Sequence, residues 1–274
     1  MISYDMSMSD YLEMSEFGST TFRKILQSPA DFKASLESSN QESPAQKKGS
    51  LWHMVAGEPH LIDKNYMFQK EDWGDRTKTD AGKPKWDAFK KEAKEAGKIP
   101  IKFEDYKHTL RFIKAFKSNE WFTNLIDKSE IEVTAWCDFE GIPLKARCDL
   151  LDRENGIIWD IKTTREDMSY NSLSKLIYKH RYHFQAAHQM QVFIENGIDV
   201  NRWGWIFIST ATPAVHIVAK EASKELLRRA HSDFMTAVEQ YQECSTTKDW
   251  WGLSNISNEY PEYIDLPEFT DKLY

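Results

Sequence analysis

At Ile131 the hydrophobic rhythm of this 274-residue chain changes from helical spacing to an alternation with a period of two, which narrows its possible folds more than any other feature. A half-buried strand hides every second residue, so 131–138, 143–151 and 157–163 read as strands. The turn Glu140-Gly141-Ile142-Pro143 joins the first two as a hairpin. A long helix over about 172–195 comes next, then strands near 203–209 and 214–219 and a helix from Ser223 to Cys244. That order predicts one α/β domain with a mixed sheet.

The first 130 residues read as mainly helical. A short helix capped by Ser19 or Thr20 ends before Ser28-Pro29, where a second helix, Pro29 to Leu36, starts. Ser38 to Lys48 is a polar linker, and Gly57-Glu58-Pro59 stops a helix over 49–56. Trp73 to Lys83 reads as a mobile loop, and 85–96 and 104–126 have helical spacing. After 245 the chain looks irregular, with Trp250-Trp251-Gly252 needing a surface to lie on. The expected organisation is a single domain, with a helical part to 130, a core over 131–245 and an irregular segment over 246–274.

With 41% hydrophobic residues the chain has ample material for a core. Its longest apolar run, Trp203 to Ile208, is far short of the roughly 18 residues that cross a bilayer. The start MISYDMSMSD has neither the basic nor the apolar stretch of a secretory signal, so a cytoplasmic setting without membrane partners is expected. Cys137, Cys148 and Cys244 are too few and too scattered for a disulfide framework or a four-thiolate metal site. The formal net charge of −7 does not advertise a nucleic-acid partner. Basic residues nevertheless crowd into 83–102 and 107–117, so one cationic surface remains compatible with the sum.

The chemistry follows from the strand period. In Leu144 to Leu150, Lys145, Arg147 and Asp149 are expected on one face, with Leu144, Ala146, Cys148 and Leu150 on the other. In Ile157 to Lys162, Asp160 and Lys162 share a face opposite Ile157, Trp159 and Ile161. In the first strand Glu130, Glu132 and Thr134 share a face opposite Ile131, Val133 and Ala135. Three strands thus bring carboxylates toward one spot, and buried acids need compensation. A hard divalent cation such as Mg²⁺ or Mn²⁺ suits those oxygens, and a lysine two residues past Asp160 is placed to orient a water or stabilise charge on phosphorus. The pattern points to phosphodiester chemistry. Glu130 competes with Glu132 as the ligand, and Lys145 and Arg147 either hold phosphate or pair with the acids. Tyr178, Tyr182, Gln185 and Gln189 fall on one helical stripe.

Asp149, ten intervening residues and Asp160-Ile161-Lys162 together resemble the signature of the PD-(D/E)XK nuclease superfamily, with Cys148 where its name has proline. Within it the chain resembles the RecE-type (exonuclease VIII) phage recombination exonucleases. Gly49-Ser50-Leu51-Trp52-His53 is similar to a helical glycine-to-histidine motif of that branch, and Tyr182-His183-Phe184-Gln185 to its glutamine helix. Where many relatives place a tyrosine four residues after that glutamine, this chain has Gln189. Ser19 to Phe32, the loop with Arg76, Lys78, Gly82, Lys83 and Trp86, and Trp250 to Pro267 extend the resemblance over almost the whole chain.

The resemblance implies a restriction-endonuclease-like core: a mixed central sheet flanked by helices after a helical N-terminal region. It implies a Mg²⁺ enzyme, with Mn²⁺ substituting, in which Asp149, Asp160, the Ile161 carbonyl, Glu132 and His53 hold metal. Lys162 would position the attacking water, and Gln185 a phosphate or a water. Lys145, Arg147, Tyr182, Arg76 and Lys78 would contact DNA, with Arg23 in a 5′-phosphate pocket. The activity implied is 5′ to 3′ digestion of double-stranded DNA from its ends, releasing mononucleotides and leaving a 3′ overhang for a single-strand annealing protein. It also implies a ring-shaped homo-oligomer, encoded by a phage or prophage and working in a bacterial cytoplasm. The alternatives are a RecB-like nuclease or an endonuclease on the same core, and an inactive DNA-binding protein.

Overall fold

The computed structural model describes residues 1–37, 51–55, 57, 59–71, 73, 82–210 and 215–252. In chain order these form β1 (Ile2–Ser3), α1 (Met8–Glu13), α2 (Ser19–Phe22), a tight helical turn (Arg23–Leu26), α3 (Pro29–Glu37) and α4 (51–55). Then come α5 (Ile62–Asn65), β2 (Tyr66–Phe68), α6 (Lys83–Glu95), β3 (Ile99–Ile101), α7 (Phe103–Lys117) and α8 (Glu120–Lys128). The second half is β4 (Glu130–Phe139), β5 (Ile142–Asp152), β6 (Ile157–Thr164), α9 (Tyr170–Lys179), α10 (Tyr182–Glu195), β7 (Arg202–Ser209), β8 (Ile217–Glu221) and α11 (Lys224–Thr247).

The main sheet is six-stranded, in the order β1-β4-β5-β6-β7-β8. Its β6–β7 pair is parallel and the other pairs are antiparallel, so the sheet is mixed as expected. The β4–β5 hairpin turns on two residues, Glu140 and Gly141, both left-handed, with the Gly141 N–H capped by Asp138 Oδ1 at 2.9 Å. A parallel pair needs a crossover, which α9 and α10 supply between β6 and β7.

Helices cover both faces of the sheet. On one side Val133, Ala146, Cys148 and Trp205 pack with Phe22, Phe32, Phe184 and Phe234 from α2, α3, α10 and α11. On the other, Leu150, Trp159, Ile161 and Ile206 pack with Leu51 and Trp52 of α4 and with Phe112 and Phe122 of α7 and α8. Among the described residues no helix is long and apolar enough to cross a membrane.

Two helices expected as continuous are broken. The segment read as 172–195 ends α9 at Lys179 and restarts as α10 at Tyr182, because Arg181 takes up a left-handed conformation (φ 52°). The single stripe from Tyr178 to Gln189 is thereby undone: Tyr178 is exposed on α9 and Gln189 buried on α10. The segment read as 104–126 divides at Asn119, whose side chain caps α8 by accepting from the Phe122 N–H at 3.0 Å. The linker 38–48, Gly49, Ser50, Arg76, Lys78 and the segment 253–267 lie outside the described residues.

Candidate active site and metal centre

The site forms where the central strands part. β5 and β6 pair at Leu150–Trp159, Leu151–Ile158 and Asp152–Ile157; the next residues along the two strands are Asp149 and Asp160. There the Ile161 N–H donates to Asp149 Oδ2 at 2.5 Å, so a carboxylate takes the place of a backbone partner. On the other side of β5, the pairs Ile131–Leu150 and Val133–Cys148 flank Glu132 and Asp149, and Glu132 is left-handed, with φ 55°. For a residue with a side chain that conformation costs about 1 kcal/mol or more.

Glu132 reverses the expected alternation. Val133, Ala135, Ala146 and Cys148 face the first core, whereas Leu150 belongs to the second and Ile131 packs against it. The uniform faces expected through Ile131 and Leu150 are therefore corrected: parity switches at the Glu132 and Asp149 positions, where the Glu132 backbone turns through the left-handed region. The acids consequently sit at a crossover that helices from both layers can reach.

From the second core, α4 brings in His53, with Nδ1 3.3 Å from Asp149 Oδ1. One ligand atom each from His53, Glu132 and Asp149 lies within 4.8 Å of the others. Lys162 Nζ lies 2.8 Å from both Asp160 oxygens, hydrogen bonded to Oδ1, with its ammonium 4.8 Å over the Tyr182 ring. From the first core, α10 brings Gln185, whose Nε2 donates to Asp160 Oδ1 at 2.7 Å. Asp160 stands outside the trio and adjoins it in sequence through the Ile161 amide.

Burial dominates the electrostatics. It pushes the Glu132 carboxyl above the usual carboxylate range, repulsion from Asp149 adds to it, and Arg147 opposes both. Burial likewise raises Asp160, against the pull of Lys162. For Asp149 burial again acts upward, but His53, Lys162 and the Ile161 N–H together bring its carboxyl below the usual range. Burial acts downward on Lys162 and His53, yet Asp160 and Asp149 hold the lysine above its ordinary value, and Asp149 does the same for the histidine. Burial also pushes the neighbouring Cys148 thiol well up, so it offers no thiolate.

This donor set fits a hard divalent cation: two carboxylates and an imidazole converge, with burial and mutual repulsion raising one of the carboxyls. A cation there would relieve the repulsion that raises Glu132. The arrangement can thus hold a metal beside a buried, charged lysine.

The remaining sequence candidates lie as follows. Arg147 binds Glu132 through Nε at 2.6 Å and the Met6 carbonyl at 2.7 Å. Lys145 donates to the carbonyls of Tyr11 and Met14, both at 2.8 Å. Both cations therefore hold the N-terminal arm, and Arg147 holds an acid as well. Glu130 points its charge to Arg153, at 2.7 Å, and is not in the trio. Arg23 donates to the His180 carbonyl. Of the two readings open for Arg147, phosphate binding or pairing with an acid, the structure shows the second, with Glu132 as the partner. The hairpin register counted outward from Glu140 and Gly141 singles out that acid, because it sets Thr134 opposite Arg147 and Glu132 beside it.

The family profile described as a PDDEXK-like domain of unknown function (DUF3799) matches residues 18–258. Domains of this kind use divalent metals, in keeping with the donor trio. No curated protein matches the sequence. A solved structure from Eubacterium rectale, described as a candidate exonuclease, is similar with a TM-score of 0.60 at 13% identity, covering 98% of each chain. A phage-related exonuclease from Haemophilus somnus gives 0.36 at 13% identity, covering 87% of this chain and 99% of the other. The first likeness is one of fold, a nuclease-like one built around a mixed sheet.

Proposed function

The chain belongs to the PDDEXK-like domain family, and from that membership we propose that it is a magnesium-dependent exonuclease of double-stranded DNA. On this reading it works 5′ to 3′, releases mononucleotides and leaves a 3′ overhang for annealing-type recombination. The observation that carries the reading is the meeting of His53, Glu132 and Asp149 with the Asp160, Lys162 and Gln185 cluster at one crossover in the sheet. The choice of an exonuclease is supported by the full-length likeness to the Eubacterium rectale protein and by the ordered motifs that resemble RecE-type enzymes.

His53, Glu132 and Asp149 would hold the ion, with Asp160 beside them. When bound, Mg²⁺ or Mn²⁺ supplies Lewis-acid polarisation of phosphoryl oxygen and a water of lowered pKa. Lys162, kept protonated by Asp160 and Asp149, is an ammonium donor that orients the attacking water and offsets charge growing on phosphorus. Gln185 fixes the Asp160 carboxylate, and Tyr182 lies alongside the Lys162 head. Arg147 holds the Glu132 carboxylate in place by donating from Nε.

The same reading takes a DNA end as substrate, an annealing protein as the recipient of the overhang, and a ring-shaped homo-oligomer as the working form. A ring reconciles the net charge of −7 with DNA binding, since an acidic exterior is compatible with a cationic channel.

The test is shortening of end-labelled linear duplex in Mg²⁺ by wild type, Lys162→Ala and Asp160→Ala. Wild type should shorten the duplex from its 5′ ends, and each variant should lose about 10²-fold or more, as when a preorganised charge stabiliser is removed. Equal rates in all three would remove the site. Cutting of covalently closed circles as fast as linear DNA would replace the exonuclease with an endonuclease.

A further inference from the structure

Beyond Lys162 and Tyr182, the stretch between the candidate site and α9 carries aromatic faces and cations that the proposed chemistry leaves unused. The Lys162 ammonium lies over Tyr182, and the Tyr182 ring stacks on His180 at 5.4 Å and 20°. Arg23 is fastened to the His180 carbonyl. One turn back on α9, Tyr178 lies parallel to His183 at 6.4 Å, with 71% of its surface open, and His183 is in turn held by Asp233 at 3.1 Å. A groove of about 640 Å³ on α9 is lined by Lys175, Tyr178, Lys179, Ser172, Ser174 and Leu176, with Glu166 the one acid among its described residues. Burial, and then Lys179 and Arg23, keep the His180 imidazole below its ordinary pKa, as expected where cations crowd in a chain of net charge −7.

Rings and cations that lead from Lys162 through Tyr182 and His180 toward the exposed Tyr178 and its lysines match the chemistry of one nucleic-acid strand. Phosphates meet the lysines and unpaired bases meet the ring faces. A duplex has its base faces stacked inward and offers them to no tyrosine. We propose that α9, through Lys175, Tyr178 and Lys179, is the docking surface for a single-stranded segment of the DNA leading to or from the site. The inference rests on the nuclease reading for its substrate class and extends it to a defined path for one strand. The residues concerned are exposed, so substituting them leaves the cores intact.

The experiment measures fluorescence anisotropy of a short labelled oligothymidylate, with EDTA present so that binding is read without cleavage. The proteins are wild type, Tyr178→Ala, the pair Lys175→Glu with Lys179→Glu, and a charge-matched control on α11, Arg228→Glu with Arg229→Glu. Both α9 variants should raise Kd by about 10-fold, within the range seen for losing one base-stacking ring. The lysine pair should also flatten the salt dependence by about one unit of slope. The control should bind within about twofold of wild type. Wild-type-like binding by the α9 variants, an equal loss in the control, or no binding by wild type overturns the proposal. So does a loss confined to a blunt duplex probe. If wild type binds and responds as expected but never cleaves duplex in Mg²⁺, the nuclease reading falls while the strand surface stands. Cleavage with α9 variants that bind normally is the converse.

Discussion

His188 is buried among the rings of Phe22, Phe184 and Phe234, with Nε2 3.1 Å from the Phe17 carbonyl and Nδ1 buried with no hydrogen-bond partner among the described residues. Burial pushes its pKa down to about 4, so in the fold it is a neutral imidazole donating from Nε2. In the unfolded chain it takes a proton near its ordinary value of about 6.5. Between these values the unfolded state holds more protons, so stability falls as pH drops from about 6.5 to about 4, by on the order of 3 kcal/mol from this group. His188→Gln keeps a donor and does not titrate. Urea unfolding should show a shallower loss for the variant than for wild type across that window, and parallel curves would contradict the assignment. At this scale the sequence showed Asp149, Asp160 and Lys162, because their strands alternate and an acid on a buried sheet is conspicuous. It did not show that Glu132 is left-handed, since nothing in its identity favours φ 55°, nor that Arg147 would be spent on Glu132 and on the Met6 carbonyl.

At the scale of elements, β6 and β7 are held at close quarters by a missing side chain. Trp159 pairs with Gly204, and a Cβ on Gly204 would meet the indole at 2.2 Å from Cζ3 and 2.3 Å from Cε3. The indole cannot swing away freely, because Trp121 meets it edge-on at 5.4 Å. Gly204→Ala should therefore destabilise the fold by about 1–3 kcal/mol, the usual cost of overfilling a packed interior. Trp159→Leu in the same chain should recover part of it, so the double variant should cost less than the two single costs together. Additive costs in urea unfolding would mean the two residues do not press on each other. Strands and the Glu140-Gly141 hairpin were legible because their signals are local: a period of two, and residues tolerant of positive φ in a two-residue turn. The break between α9 and α10 was not, since no glycine or proline marks His180-Arg181. The two-residue β1 was invisible too, being too short to show any alternation.

Across the whole molecule, the candidate metal centre is the place where the two layers meet through the sheet. His53 comes from α4, whose neighbours Leu51 and Trp52 belong to one core, and Gln185 from α10, whose neighbours Phe184 and Ala186 belong to the other. Glu132, Asp149 and Asp160 lie between them on β4, β5 and β6. No local period says that residue 53 would reach residue 149 across the sheet, which only the resemblance implied, because this depends on how the helical half docks. An ion held jointly by His53, Glu132 and Asp149 ties α4 to the central strands, and it binds with its full ligand set only when both are in place. Binding confined to the folded state raises stability by about 2.7 kcal/mol at a hundredfold excess over Kd, equivalent to about 5–10 °C in Tm for a chain of this size. Saturating Mn²⁺ should therefore raise Tm by that amount, EDTA should reverse the rise, and Asp149→Asn should abolish it. His53→Ala should retain part of the shift through the two carboxylates and lose hydrogen-exchange protection gained over 51–55. An equal Mn²⁺ shift in wild type and Asp149→Asn would place the ion elsewhere and separate the layers' packing from the chemistry assigned to this site.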